Sequence, residues 1–217
     1  MLLQVHPTHP EPRKIKRVVE TLENGGVIVY PTDTVYGVAA SPTVPDATDR
    51  LYALKERRPA VPLAVLIGDP DDAWTLAVEV SPRARELAGR FWPGPLTLVL
   101  RRDPGLAGWE LGGDPATIGV RCPDSPLVRA VARRVGPIAT TSANRHGHPT
   151  PVDAVDAAAA LLGPVGVVAD TGPCDGVAST VVDLTVEPPR VLRLGALTAA
   201  ALGLDEATGR PEPGRDR

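Results

Sequence analysis

Four basic side chains, Lys55, Arg57, Arg121 and Arg193, stand beside turn or strand residues able to present them to an anion. Lys55-Glu56-Arg57-Arg58 is the densest run of cations and closes a predicted helix. Cations in a last helical turn complement the helix dipole and need no ligand to explain them. The run is followed, however, by Pro59-Ala60-Val61-Pro62-Leu63, a stiff connection that would fix where the heads point. Arg57 would then grip phosphate oxygens bidentately while Lys55 acts as a point charge.

Two short polar groups follow predicted strands. Thr32-Asp33-Thr34 comes after a buried strand, the place where open α/β sheets bind ligands if this is the carboxyl edge, although an Asx or Ser/Thr turn explains it equally. Ser142-Ala143-Asn144 either holds a ligand through hydroxyl and amide or caps the local backbone. Arg121 ends the strand Thr117 to Val120, and Arg193 lies within Val191-Leu192-Arg193-Leu194. Among apolar strand neighbours each points to solvent, the reading the pattern alone favours, or pairs inside a site.

Other chemistries lack their signatures. Neither G-x-x-x-x-G-K-[ST] nor G-x-G-x-x-G occurs, so side chains must hold any phosphate. There is no H-E-x-x-H and no G-x-S-x-G. His146-Gly147-His148 has no third ligand nearby, and no protein metal site is expected. Cys122 and Cys174 form no C-x-x-C pair, which argues against zinc, while a single disulfide stays open.

The 217 residues suit one domain with a sizeable core. Aromatics make up only 3% of a chain that is 43% hydrophobic, so Val, Leu, Ile and Ala must build that core. A net charge of −3 gives no global attraction to nucleic acid or acidic membranes, and any anion site must be a local cluster. No apolar run approaches the about 20 residues of a membrane span and no signal segment opens the chain, so the expected location is cytoplasmic, without membrane contact.

Helices are predicted from Glu11 to Glu23, from about Pro45-Asp46, from Ser81-Pro82 to Arg90, from Ser125-Pro126 and from Val152 to Leu162. Strands are predicted over Val27–Tyr30, Leu63–Ile67, Leu96–Leu100, Thr117–Arg121, Ile138–Thr141, Val165–Ala169, Thr180–Leu184 and Arg190–Leu194. Asp103 to Pro115, with four glycines and two prolines, is expected to be a mobile loop. The alternation predicts an α/β class with a twisted mixed sheet and flanking helices. Residues 1–196 form the expected domain and 197–217 a flexible tail.

These motifs, in this order, resemble the YrdC-like family that includes the threonylcarbamoyl-AMP synthases. The resemblance is carried by Gly25-Gly26-Val27-Ile28-Val29-Tyr30-Pro31-Thr32-Asp33-Thr34-Val35-Tyr36-Gly37, Lys55-x-Arg57 before Pro62-Leu63, and Phe91-Trp92-Pro93-Gly94-Pro95-Leu96-Thr97. Ile118-Gly119-Val120-Arg121-Cys122-Pro123, Ser142-x-Asn144, Ser179-Thr180-Val181-Val182-Asp183 and Arg193-x-Gly195 complete it, over about residues 12 to 196. It implies a concave, basic cavity on a twisted α/β sheet and the formation of threonylcarbamoyl-AMP and pyrophosphate from L-threonine, bicarbonate and ATP. Thr34 and Arg121, with Ser179 or Thr180, would hold threonine. Lys55, Arg57, Ser142, Asn144 and Arg193 would hold ATP and carry the catalysis, with Mg²⁺ arriving on the ATP. The product would pass to tRNA-modifying threonylcarbamoyl-transfer proteins.

The chain departs from the family pattern at Arg58, where proline is usual and a further cation toward ATP now stands, at Val61, and at Ser125, where many members carry His. His6-Pro7-x-x-Pro10 resembles a paralogous branch, and 217 residues leave no room for the further C-terminal domain of two-domain members. Two alternatives remain at this level. One is an RNA-binding paralogue with weak tRNA binding, against which the net charge and few aromatics speak. The other is a carbamoyl-transfer enzyme of the same fold, against which the compact length speaks.

Overall fold

A computed structural model describes residues 1–145 and 147–204. His146 and the tail beyond Leu204 lie outside the described residues, and so do the readings made of them. The strands are β1 (Leu2–Gln4), β2 (Ile28–Tyr30), β3 (Gly37–Ala40), β4 (Ala64–Leu66), β5 (Ala77–Val78), β6 (Leu96–Arg102), β7 (Thr117–Arg121), β8 (Ile138–Ser142), β9 (Val167–Asp170), β10 (Thr180–Asp183) and β11 (Arg190–Arg193). The helices are α1 (Pro12–Glu23), α2 (Ala47–Lys55), α3 (Pro82–Phe91), α4 (Pro126–Val135) and α5 (Ala154–Ala159). The strands join one sheet in the order β1-β9-β2-β3-β8-β4-β7-β6-β10-β11, with β5 paired to β6. Parallel pairs such as β4 with β7 occur beside antiparallel pairs such as β6 with β7, so the sheet is mixed.

The helices start where local chemistry supplies their first-turn partners. Ser81 Oγ accepts from the Ala84 amide at 3.2 Å, and Ser125 Oγ accepts from the Val128 amide at 3.5 Å, each before a proline at the first helical position. α1 buries Ile15, Val18, Val19 and Leu22, one helical face, and Gly25 just beyond it takes φ +72°.

Side-chain alternation along the strands divides the core between two faces of the sheet. Ile28, Tyr30, Ala39, Leu66, Ile138 and Val167 pack beneath α1 and α4. Val29, Val38, Val65, Leu98, Ile118, Val120 and Val182 belong to the opposite layer with the inner residues of α2, α3 and α5. On the first face the neighbouring positions of the central strands are mostly small or polar. Thr140, Ala64, Gly119, Val99 and Asp183 stand directly opposite one another across β8, β4, β7, β6 and β10. Residues in register share a face, so this row forms the floor of a concavity.

Three strands escape the pattern reading. β3 reads Gly-Val-Ala-Ala, with little intrinsic β preference, and becomes a strand because β2 and β8 flank it. β1 and β5 are short and pair along one side each. The Asp103–Pro115 segment, expected to be mobile, is anchored. Leu111 is buried, its carbonyl accepts from the Leu63 amide at 2.8 Å, and the Arg102 guanidinium donates to the carbonyls of Leu106 and Trp109. The stretch 197–204, assigned in sequence to the tail, packs against α3. Leu202 is fully buried, and Arg83 donates to its carbonyl.

Candidate active site

One cavity of about 720 Å³ opens on the uncovered face of the central strands. Its wall includes Thr34, Arg57, Arg121, Ser142, Ser179 and Arg193 among the residues singled out in sequence.

Arg121 leaves the end of β7 and is nearly buried. Its Nη2 pairs with Asp33 Oδ1 at 2.5 Å, Nη1 donates to Thr34 Oγ1 at 3.0 Å, and Nε donates to the Gly94 carbonyl at 3.0 Å. Burial pulls its pKa down, and the Asp33 charge opposes that. The Thr32-Asp33-Thr34 bend is organised by Thr32, whose Oγ1 accepts from the amides of Thr34 and Val35 at 3.1 Å and donates to the Val35 carbonyl at 2.6 Å. Thr34 is left to donate to Thr32 and accept from Arg121. The turn expected from sequence is formed, and it sets Thr34 on the cavity wall.

Arg57 follows α2. Its Nη1 donates to Thr141 Oγ1 at 2.7 Å, Nη2 to the Pro62 carbonyl at 2.6 Å and Nε to the Val61 carbonyl at 3.2 Å. Arg193 stands on the exposed strand β11 but lays its guanidinium on Ser179, with Nη2 at 2.9 Å from the carbonyl and 3.1 Å from the hydroxyl. Thr97 Oγ1 supports that hydroxyl at 3.0 Å. Burial lowers the pKa of both arginines. The Arg193 charge lowers Arg57 further, and the Arg121 charge lowers Arg193 further. The three guanidiniums sense one another across the cavity.

Lys55 is placed differently from the sequence expectation. It is buried behind the cavity wall, where its ammonium donates to the Ser142 carbonyl, the Asn144 carbonyl at 2.6 Å and Asn144 Oδ1 at 3.0 Å. Burial first, and the nearby Arg57 charge second, lower its pKa to about 7. Asn144 is likewise off the wall. Its Oδ1 accepts from Ser142 Oγ at 2.5 Å and its amide donates to the His148 carbonyl. Lys55 and Asn144 thus brace the turn whose Ser142 faces the cavity.

Two expected residues are not brought in. Thr180 points into the opposite layer, where its hydroxyl donates to the Leu197 carbonyl at 2.7 Å and accepts from the amides of Gly195 and Leu197 at 3.0 Å. Period-two alternation explains this, since Ser179 already takes the cavity side. Arg58 is exposed and absent from the wall.

Sequence reasoning passed over Asp33 as the partner of Arg121, Thr97, Thr141, and the Tyr30–Thr140 pair. Thr140 donates to the Val38 carbonyl at 3.1 Å, so the Tyr30 hydroxyl donates to Thr140 on the floor. The signal was present in Leu-Thr-Leu and Ile-Gly-Val, where a small residue alternates with large apolar ones, and in the paired threonines of Ala-Thr-Thr.

Among the described residues no group of three or more His, Cys, Asp or Glu is gathered for a metal, and no helix is long and apolar enough to cross a membrane. Lys55, Arg57 and Arg193 form no ion pair among the described residues, and the partners named for them are all neutral oxygens. Arg57 and Arg193, cations held by neutral acceptors on one cavity wall, suit a ligand carrying several negative charges.

The chain is 41% identical over 201 residues to a Mycobacterium tuberculosis protein provisionally named threonylcarbamoyl-AMP synthase, covering 90% of this chain and 92% of that one. It is 37% identical over 186 residues to the threonylcarbamoyl-AMP synthase of Pyrococcus abyssi, covering 85% of this chain and 54% of the longer relative. The crystal structure of P. abyssi Sua5 complexed with L-threonine matches with a TM-score of 0.82 and 34% identity, over 91% of this chain and 58% of that one. The family model for Sua5, YciO and YrdC proteins, described as "Telomere recombination", matches residues 20–195, which include every residue of the cavity named above. With fold, motif order and cavity in agreement, the chain belongs to the Sua5/YciO/YrdC family.

Proposed function

We propose that this protein is a threonylcarbamoyl-AMP synthase whose cavity holds L-threonine beside ATP. The observation that carries the reading is the set of three guanidiniums on one cavity wall, two of them without a carboxylate partner among the described residues. A triphosphate supplies the missing charge. Arg57 and Arg193 are assigned to its oxygens, with Ser142 on the turn that Lys55 and Asn144 brace. Thr34, Arg121 and Ser179 are assigned to threonine, consistent with the threonine bound by the P. abyssi relative. Mg²⁺ would enter on the triphosphate and neutralise part of its charge.

The amine of threonine and bicarbonate give an N-carboxy adduct and water. A carboxylate oxygen of the adduct forms the new bond to the α-phosphorus while the bond to the β-phosphoryl oxygen breaks, and pyrophosphate leaves. Both reactants are anions, so fixed cations must lower their repulsion before they meet. No nucleophilic side chain is required. The product, a mixed anhydride, would be consumed by tRNA-modifying transfer proteins.

The test is ATP–pyrophosphate exchange. Exchange that needs both L-threonine and bicarbonate supports the reading, whereas background exchange with all substrates present overturns it.

A further inference from the structure

Arg57 owes its position to a connection that has little structure of its own. Its Nε and Nη2 donate to the carbonyls of Val61 and Pro62, so the Pro59–Leu63 strap is the guanidinium's mount. The strap contributes Ala60, Val61, Pro62 and Leu63 to the cavity wall. What holds the strap comes from elsewhere in the chain. The Tyr52 hydroxyl, on the inner face of α2, lies 2.7 Å from the Leu111 carbonyl and 3.2 Å from the Val61 carbonyl. The Gly113 amide donates to the Pro59 carbonyl at 2.8 Å, and the Leu63 amide donates to the Leu111 carbonyl at 2.8 Å. Both ends of the strap are therefore tied to residues 111–113.

The two glycines of that tip are required by the tie. Gly112 and Gly113 have φ of +69° and +65°, the left-handed region that disfavours side chains. A Cβ on Gly112 would overlap the Pro59 carbonyl oxygen and the Tyr52 hydroxyl, and one on Gly113 would come within 2.9 Å of Pro62 Cβ. Leu111 anchors the tip in the core, and Arg102 clamps the base of the same loop through Leu106 and Trp109.

We infer that Tyr52 and the Gly112–Gly113 pair are positioning residues that latch the strap and so aim Arg57 at the nucleotide. They act on the phosphate side of the cavity only, since the Thr34–Arg121 side is tied to Asp33 and Gly94 instead. The inference rests on the nucleotide being the ligand of Arg57.

The experiment compares Tyr52→Phe, Gly112→Ala and, as a control in the same loop, Gly108→Ala, whose added Cβ meets nothing within 4 Å. ATP and threonine are varied separately, ATP binding is titrated directly, and amide exchange is followed at Leu63 and Gly113. Tyr52→Phe is expected to raise the KM for ATP about fivefold or more, the scale of one lost buried hydrogen bond, with the KM for threonine unchanged and faster exchange at both amides. Gly108→Ala stays like the wild type. A wild-type ATP KM in Tyr52→Phe overturns the latch, as does a parallel loss for both substrates that tracks a fall in melting temperature. If the wild type shows no threonine-dependent turnover, the proposed activity fails by itself. ATP titration and amide exchange then still decide the latch, which falls if Tyr52→Phe changes neither.

Discussion

Lys55 and Arg57 stand two residues apart, yet one is walled in and the other faces the cavity, so their loss should be felt in different ways. Arg57→Ala removes one preorganised cation and is expected to lower kcat/KM by about 10²-fold with folding intact, checked by steady-state kinetics and circular dichroism. Lys55 acts through the Ser142–Asn144 turn, and its charge matters through pH. Its folded pKa, about 7, lies below the 10.5 of the unfolded chain. Between those values the unfolded state binds more protons, so the Lys55 contribution to stability increases as pH rises through that window and is flat below it. In the folded protein the ammonium that donates to Ser142 and Asn144 is lost as pH rises through about 7. The ATP-dependent rate is therefore expected to fall above about pH 7 while denaturant midpoints rise. Lys55→Met should flatten both profiles, and identical profiles in both proteins would assign the titration to another group.

At the scale of the strand, the cavity is a consequence of side-chain size on one face. Thr97, Thr140, Ala64 and Gly119 keep that face low, whereas Leu98, Val65, Ile118 and Val120 fill the opposite one. A Cβ on Gly119 would make only ordinary contacts, 3.6 Å from Thr97 Cγ2 and 3.8 Å from Ala64. Gly119→Val should therefore fold, since valine suits a strand, while its methyl groups rise into ligand space. The expected outcome is a melting temperature near that of the wild type with threonine-dependent exchange lowered at least about tenfold, one pocket clash at ~1.4 kcal/mol or more. An unchanged rate would mean that the ligands do not lie on β7.

Across the whole molecule, a net charge of −3 coexists with a cavity ringed by arginines, because folding gathers cations that are remote in sequence. The last described residues also serve the fold. Leu202 is wholly buried against the α3 layer, and Arg83 and Arg90 donate to carbonyls at residues 201–203. Leu202→Ala is expected to cost about 2–5 kcal/mol in equilibrium unfolding while leaving the KM values for ATP and threonine alone. A loss below ~1 kcal/mol would show that this segment adds little.

Helix starts, most strands and the motif order were legible in the sequence because they depend on neighbours: Ser-Pro caps, β-branched runs, and glycine after an amphipathic face. Thr34, Arg57, Arg121, Ser142, Ser179 and Arg193, singled out in the sequence through the family resemblance, lie on the wall of one cavity. The seclusion of Lys55 and Asn144, the turn of Thr180 into the opposite layer and the Asp33–Arg121 pair were not legible. Each depends on which side of a sheet a residue takes and on partners 17 to 89 positions away. The sequence by itself determined the elements and the kinds of charge available. Tertiary structure alone decided which charges share a cavity, because strand pairing, not chain order, sets that distance.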